Sequence, residues 1–294
     1  MSGNAARDPS GKRPPEPREM TRLETDEEIR QVLQARRARL AGKQPPAKRQ
    51  PGEPPVVAEV VEIEAQPERP QNRPPMALLC VLDDGQHDGE WFRLRGDRWV
   101  IGRTEGDVHV PHDGMMSGRH AEITRQRLPG GFRWLLTDLQ STNGTFVRVG
   151  NTVLRHQNEL RIGSTHYRFE APAAPAPADM PPTPGQVTQS YHGPAVRSLV
   201  PSLVELAAGG TGQRFPLTLP EYWIGRDVRT CPIARPDDQL LSPRHARLFR
   251  DAKGLWHIEN NRSLNGLWLR IDQIPLEGAC QFRLGEQRFL LRVL

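Results

Sequence analysis

Four short motifs occur twice in this chain, in the same order and at nearly the same spacing. The second copy of each motif follows the first by 122 to 125 residues. The pairs are WVIGR (99–103) and WIGR (223–226), SGRHAEI (117–123) and SPRHARL (242–248), LQSTNGTFVRV (139–149) and NRSLNGLWLRI (261–271), and LRIGSTHYRF (160–169) and FRLGEQRFLL (282–291). A nearly constant offset over four separate motifs indicates a duplicated domain.

Proline marks where the duplicated domains begin and end. Of the 29 prolines, thirteen lie in residues 1–75 and eight in residues 171–201. These polar segments bury too little apolar surface to offset the entropy of ordering, so we expect a disordered tail and an extended linker. The candidate domains are block one, residues 76–170, and block two, residues 202–294.

One stretch of the tail, residues 21–42, has a helical pattern. Thr21 or Thr25 can cap its N-terminus, and its acidic residues precede its arginines, which suits the helix dipole. The apolar stripe is thin, so we expect a marginal, solvated helix. Docking of this helix on a partner is the alternative.

Both blocks have the pattern of β-structure. Apolar residues come in short runs broken by Gly, Asp, Asn and Pro, as in ALLCVL (77–82) and FRWLLTDL (132–139). Neither block sustains a 3.6-residue period over a dozen residues. Short strands between turn signals are typical of a sandwich or barrel, and a length of about 95 residues suits a sandwich.

Composition argues against several classes of protein. No run of 18 apolar residues is present, so we expect no membrane span, and the first residues lack the apolar core of a secretory signal. The three cysteines lie far apart, which argues against a disulfide framework and makes a reducing, cytoplasmic compartment the default expectation. The net charge of +5 is too small to argue for nucleic acid.

The repeated residues indicate anion binding rather than catalysis. Each block places Gly-Arg at a strand end, Ser and Arg-His in one loop, and Ser-x-Asn-Gly in another. Guanidinium, hydroxyl and turn amide groups together can hold a phosphate. Neither block has a nucleophile–base pair or a glycine-rich nucleotide loop, so we expect no enzyme and no cofactor. His109, His112 and His120 lie close in sequence, but no cysteine or carboxylate spacing supports a metal site.

In order and type these motifs resemble the forkhead-associated (FHA) domain, an eleven-strand β-sandwich whose loops bind phosphothreonine peptides. The resemblance covers both blocks and predicts an all-β chain of two such sandwiches joined by the proline-rich linker. It implies a non-catalytic adaptor whose partners carry phosphothreonine, either a serine/threonine kinase or its substrates. The alternative is a scaffold that binds partners without phosphate, and neither function involves nucleic acid or membrane.

The resemblance also assigns roles to single residues. In block one, Arg103 and Ser117 contact the phosphate, Thr142 adds a hydroxyl, Asn143 holds the peptide main chain, and Arg119 lines the groove. The counterparts in block two are Arg226, Ser242, Arg244 and Asn265. Gly102, His120, Gly225 and His245 have structural roles.

Two further expectations follow from the resemblance. Block two has Leu264 where block one has Thr142, so it loses one phosphate-binding hydroxyl and is expected to bind more weakly. Thr25 is a candidate phosphorylation site, through which the tail would bind the chain's own first sandwich. The alternative role for Thr25 is the N-cap of the tail helix.

Overall fold

The computed structural model is almost entirely β-structure, as predicted. It describes residues 21–41, 76–83, 88–129, 131–172, 200–207 and 210–293. These ranges hold twenty strands and one helix. Most of the predicted tail and linker lies outside the described residues, and the boundaries of the two blocks stay predictions. No helix in the described ranges is long and apolar enough to cross a bilayer.

The elements follow the chain in three groups. The tail contributes β1 (Arg22–Leu23) and α1 (Asp26–Ala41). Block one contributes β2 (Ala77–Leu82), β3 (Gly89–Leu94), β4 (Arg98–Gly102), β5 (Val108–His109), β6 (Ala121–Leu128), β7 (Gly131–Asp138), β8 (Thr145–Val153), β9 (Glu159–Ile162) and β10 (Thr165–Glu170). Block two contributes β11 (Ser202–Ala207), β12 (Gly210–Pro216), β13 (Glu221–Gly225), β14 (Ile233–Ala234), β15 (Ala246–Arg250), β16 (Trp256–Asn260), β17 (Leu267–Ile271), β18 (Gln273–Leu276), β19 (Ala279–Leu284) and β20 (Gln287–Val293).

Two sandwiches form, but each is built from strands of both blocks. In the first sandwich, one sheet has the order β18-β7-β6-β4-β5, and the facing sheet runs through β3, β2, β20, β19 and β8. Its strands β18 to β20 therefore come from block two. In the second sandwich, β9 and β10 of block one pair with β17 and β11 of block two. The two blocks have exchanged their C-terminal strands.

The exchange takes place where β8 and β17 cross. These strands pair antiparallel, from Leu267 opposite Val149 to Ile271 opposite Thr145. β8 then continues into the second sandwich, where its last residues pair with β16. The corresponding segment of block two breaks after Ile271 and starts again as β18, which pairs with β7 of the first sandwich. In each block, the strands that follow β8 or β17 therefore belong to the sandwich of the other block.

The apolar core is continuous through both sandwiches. Fully buried side chains such as Leu79 and Trp134 of block one and Leu291 of block two belong to one cluster. Alternation along the strands produces this core, since in β6 Ala121 and Ile123 are buried while their neighbours face outward. Because each sandwich closes its core with strands of the other block, we expect the two to unfold together.

We predict that cutting the linker will not separate the blocks. A site-specific protease sequence inserted within residues 173–199 gives two fragments after cleavage. Because each fragment supplies strands to both sandwiches, the fragments should co-elute as one folded species in size-exclusion chromatography and separate only in denaturant. Two folded fragments that elute separately in native buffer would contradict the exchange.

Candidate functional site

The predicted residues of block one come together at one end of the first sandwich, which we call site one. The strand β4 ends at Gly102, and the backbone N–H of the next residue, Arg103, donates to the carbonyl of Ser117 at 2.9 Å. The end of β4 and the loop of residues 117–120, which we call the serine loop, approach so closely that a Cβ on Gly102 would lie 2.0 Å from the carbonyl oxygen of Gly118. Glycine is therefore required for this contact between the β4 end and the serine loop.

His120 joins the serine loop to the Asn-Gly turn. Its ring is fully buried, and its Nδ1 accepts a hydrogen bond from the Ser117 N–H at 3.1 Å. The Nε2–H then donates to the carbonyl of Gly144 at 3.2 Å. This pattern needs a neutral imidazole, and burial lowers the pKa of His120 in agreement. These two hydrogen bonds are the contacts that a structural role would require, and the role of His120 stays a prediction.

A half-buried carboxylate, that of Asp138, shapes the turn itself. Asp138 accepts hydrogen bonds from the Ser141 hydroxyl and the Thr145 hydroxyl, both at 2.6 Å. Ser141 in turn accepts from the N–H of Gly144 at 3.0 Å. Gly144 has a φ of +78°, which suits glycine. The turn that carries Thr142 is therefore fixed by hydrogen bonds within block one.

The groups expected to touch a phosphate lie exposed around this framework. The side chains of Arg103 and Thr142 are exposed, and Ser117 is half-buried. Ser117 Oγ accepts from the N–H of Thr142 at 3.1 Å, which leaves its own hydroxyl hydrogen for a ligand. Asn143 is anchored by its amide to the carbonyl of Met115 at 2.7 Å. Arg119 lies exposed on the same loop.

Block two builds the same framework at the end of the second sandwich, which we call site two. The Arg226 N–H donates to the Ser242 carbonyl at 3.1 Å, and the Ser242 N–H donates to His245 Nδ1 at 3.2 Å. His245 Nε2–H donates to the Gly266 carbonyl at 2.9 Å. Asn265 holds the carbonyl of Leu240 at 2.8 Å, as Asn143 holds that of Met115 in site one. A Cβ on Gly225 would lie 2.2 Å from the Pro243 carbonyl oxygen, so glycine is required here too.

Site two differs from site one in three contacts. Leu264 occupies the position of Thr142 and offers no hydroxyl. The Arg244 guanidinium stacks 3.6 Å above the Trp223 ring, which holds it against the protein. Asn260 replaces the aspartate of the turn, and its Oδ1 accepts from the Ser263 hydroxyl at 2.6 Å.

Two arginines that sequence analysis missed support the two turns. Arg148 of block one lies beneath Gly266, and Arg270 of block two lies beneath Gly144. A Cβ on either glycine would lie 2.5 Å from the guanidinium Nε, so each turn rests on an arginine of the other block. The repeat relates these arginines by the same 122-residue offset as the turns, and that signal could have revealed them.

The tail lies beside site two, whereas the binding considered in the sequence analysis for a phosphorylated Thr25 was at site one. The Glu24 carboxylate is buried and accepts hydrogen bonds from Arg148 and Asn260. Thr25 caps α1, since its hydroxyl accepts from the Glu28 N–H at 3.3 Å and its own N–H donates to the Glu28 carboxylate at 2.9 Å. Phosphorylation of Thr25 stays a prediction.

Comparison with known families identifies the two repeated segments. The family model described as the FHA domain matches residues 99–163 and 222–285. The chain carries two FHA domains. FHA domains are phosphothreonine-binding modules of signalling proteins, and they are in general non-catalytic. No curated protein matches the chain.

Solved structures that are similar to parts of this chain include the following three. Mycobacterium tuberculosis EmbR, in complex with a low affinity phosphopeptide, is 22% identical over 35% of this chain and 26% of its own, with a TM-score of 0.20. A structure from a functional analysis of phosphothreonine-dependent FHA domain interactions is 32% identical over 31% of this chain and 91% of its own, with a TM-score of 0.19. The FHA domain of a Chlamydia trachomatis protein is 28% identical over 30% of this chain and 91% of its own, with a TM-score of 0.20.

We predict that His245 makes the fold sensitive to mild acid. Burial lowers the pKa of His245 from 6.5 to about 4. Below pH 6.5 the unfolded chain binds a proton that the folded chain does not bind until about pH 4, so the free energy of unfolding falls as the pH falls through this window. From pH 7 to pH 5 the loss from this residue is about 2 kcal/mol.

Chemical denaturation at pH 7, 6 and 5 checks this. His245→Asn should flatten the pH dependence even where the variant is less stable overall, and the same substitution at the exposed His109 serves as the control. An unchanged slope in His245→Asn would contradict the neutral, buried state of this imidazole.

Proposed function

We propose that this chain is a non-catalytic adaptor that binds phosphothreonine peptides, with site one as the competent reader. The observation that carries the proposal is the arrangement of Arg103, Ser117 and Thr142, whose polar groups converge on exposed loops. The neutral imidazole of His120 braces these loops from below. The scaffold is rigid and the recognition groups are on its loops, which is how binding sites are commonly built.

The chemistry of site one suits a phosphate ester. A phosphothreonine carries about −1.5 to −2 charges and three strong acceptor oxygens. Arg103 can pair with two of these oxygens, and the hydroxyls of Ser117 and Thr142 can donate to them. The Asn143 side chain stands next to these groups, where it can bond to the peptide main chain. Partners are therefore proteins that carry phosphothreonine, either a serine/threonine kinase or its substrates.

Site two is proposed to be the weaker reader. Arg226, Ser242 and Asn265 keep the positions of their site-one counterparts, but Leu264 cannot donate to a phosphate. The stacking of the exposed Arg244 on Trp223 also holds this guanidinium against the indole ring. The same leucine is the observation that favours the second candidate function, phosphate-independent scaffolding at this site.

We predict that Arg103→Ala nearly abolishes phosphothreonine binding at site one. Truncation leaves a phosphate without its charged partner, which costs about 2–5 kcal/mol, or a loss of affinity of roughly 30-fold or more. Calorimetry with phosphothreonine peptides and their unphosphorylated forms measures this in the full chain carrying Arg226→Ala, so that site two does not obscure the result.

The exposed Arg98 at the start of β4 provides a matched control. It pairs with Glu122 on the neighbouring strand at 2.7 Å and lies outside the predicted site. Arg98→Ala should leave affinity within about twofold, because exposed ion pairs contribute little. An Arg103→Ala protein that binds as tightly as the control would overturn the site assignment.

We predict that Leu264→Thr strengthens site two. A hydrogen bond to a charged acceptor is worth about 1.5–3 kcal/mol, which corresponds to a difference in affinity of about tenfold or more. The variant should regain part of this affinity. The measurement is titration of phosphothreonine peptides into the full chain carrying Arg103→Ala, with and without Leu264→Thr. Leu264→Val serves as the control, because valine has the β-branched shape of threonine without the hydroxyl. Equal gains in both variants would show that the hydroxyl is not responsible.

A further inference from the structure

A cleft of about 1100 Å³ lies between site two and the N-terminal segment. One side is formed by the residues already assigned to site two, among them Arg226, Ser242, Leu264 and Asn265. The other side is formed by the tail, through Arg22, Glu24, Glu28, Gln31, Val32 and Ala35. The groove beside the second serine loop is thus bounded by a segment more than 160 residues away in sequence.

The tail is attached to the sandwiches by three kinds of contact. The strand β1 pairs with β8, with Arg22 opposite Asn151 and Leu23 opposite Val149. The Leu23 side chain packs against the common core. Ile29 on the first turn of α1 is 4% exposed. These contacts fix the position of the helix beside the cleft.

The Glu24 carboxylate is the polar centre of this attachment. One oxygen accepts from the guanidinium of Arg148 and the other from the amide of Asn260. The backbone N–H of Glu24 also donates to the Arg148 carbonyl at 3.2 Å. The side chains of Arg148 and Glu24 are only 3% and 10% exposed, so removal of either would leave a buried, unpaired charge.

Comparison of the two turns shows what this carboxylate does. In site one the turn is held by a carboxylate of its own block, Asp138. The equivalent residue in block two is Asn260, which carries no charge. Glu24 brings a carboxylate to that place from the tail, and Arg148, its ion-pair partner, donates to the carbonyls of Ser263 and Leu264 at 3.3 and 3.4 Å. The tail therefore completes the support of the second turn.

The charges that face the cleft are suited to an anion. The Glu28 carboxylate is already bonded to Arg22 and to the helix N-cap, and that of Glu24 is paired with Arg148. Arg226 and Arg262 line the side of the cleft that belongs to site two, together with Glu259. The rest of the tail wall, Gln31, Val32 and Ala35, is uncharged.

We infer that residues 22–35 are part of the second phosphopeptide site. The tail forms one wall of the groove, and Glu24 is a positioning residue for the Ser263–Gly266 turn. The occupant is an extended phosphothreonine peptide that places its phosphate at Arg226 and Ser242 and uncharged side chains against Val32. This inference rests on the proposed function of site two.

The test uses the full chain carrying Arg103→Ala, so that only site two reads phosphate. The probe is a phosphothreonine peptide with uncharged flanking residues, selected from an oriented peptide library on this protein. Glu24→Gln should weaken binding at least tenfold, because the turn loses its ionic support. The exposed neighbour Glu27→Gln is the matched control and should leave binding unchanged.

Charged substitutions at Val32 test whether the tail forms a wall of the groove. A tail with only a structural role would not change which flanking residues the site prefers in a peptide. Val32→Lys should favour peptides with an acidic residue beside the phosphothreonine, and Val32→Glu should favour peptides with a basic one. Peptide preferences that stay the same in both variants would contradict the inference that the tail forms a wall of the groove. Tighter binding in Glu24→Gln would also overturn the inference, because it would mean that the tail obstructs site two.

Failure of the proposed function gives a different result. If Arg226→Ala leaves binding in the Arg103→Ala protein unchanged, site two does not read phosphate, and both the proposed function of this site and the wall are wrong. Amide hydrogen exchange then tests the positioning role separately. Exchange at Ser263 and Gly266 should accelerate in Glu24→Gln and not in Glu27→Gln. Site-one binding, measured in the Arg226→Ala protein, verifies that each variant is folded.

Discussion

The antiparallel pairing of β8 with β17 is the contact on which both sites depend. It carries the chain of each block across to the other sandwich, and it sets Arg148 and Arg270 beneath the two Asn-Gly turns. Each turn has a glycine with positive φ that leaves room for the guanidinium, so a side chain at Gly144 or Gly266 would meet both backbone strain and an arginine. Recognition loops of one block are in this way supported by the other.

The arrangement of each site could be predicted from sequence because its parts are local. In block one the Gly-Arg end of β4, the serine loop and the turn all lie within about forty residues, on strands that stay in one sandwich. The repeat showed these groups twice, and hydrogen bonds such as that from the Ser117 N–H to His120 join residues only three apart. Short-range geometry of this kind depends little on where the later strands go.

The exchange of strands could not be predicted, because the two blocks have the same pattern. β10 and β20 are equivalent strands of the repeat, and the buried Tyr167 and Phe169 of β10 correspond to the buried Phe289 and Leu291 of β20. Either strand could therefore present the same apolar face to the core beside β2. These shared alternate positions do not decide which block supplies the strand. The choice is made at the crossing, where β8 runs on without a break and its counterpart stops at Ile271.

The role of Glu24 could not be predicted from the sequence for a related reason. In sequence it is one of several acids before a helix, where a dipole interaction is a sufficient explanation. Its partner Arg148 lies 124 residues away and Asn260 lies 236 residues away. Only the substitution of Asp138 by Asn260 in the second repeat hinted that block two needs a carboxylate from elsewhere.

The exchanged strands also determine when the first sandwich can fold during synthesis. Domains usually fold as units while the chain emerges from the ribosome, the N-terminal one first. Here the first sandwich needs β18 to β20, which are translated after every strand of block one and most of block two. Its apolar faces stay uncovered during that interval, and long-range pairing of this kind is slow. A ribosome that stops before residue 273 would therefore release a chain whose first FHA sandwich, not its second, lacks three strands.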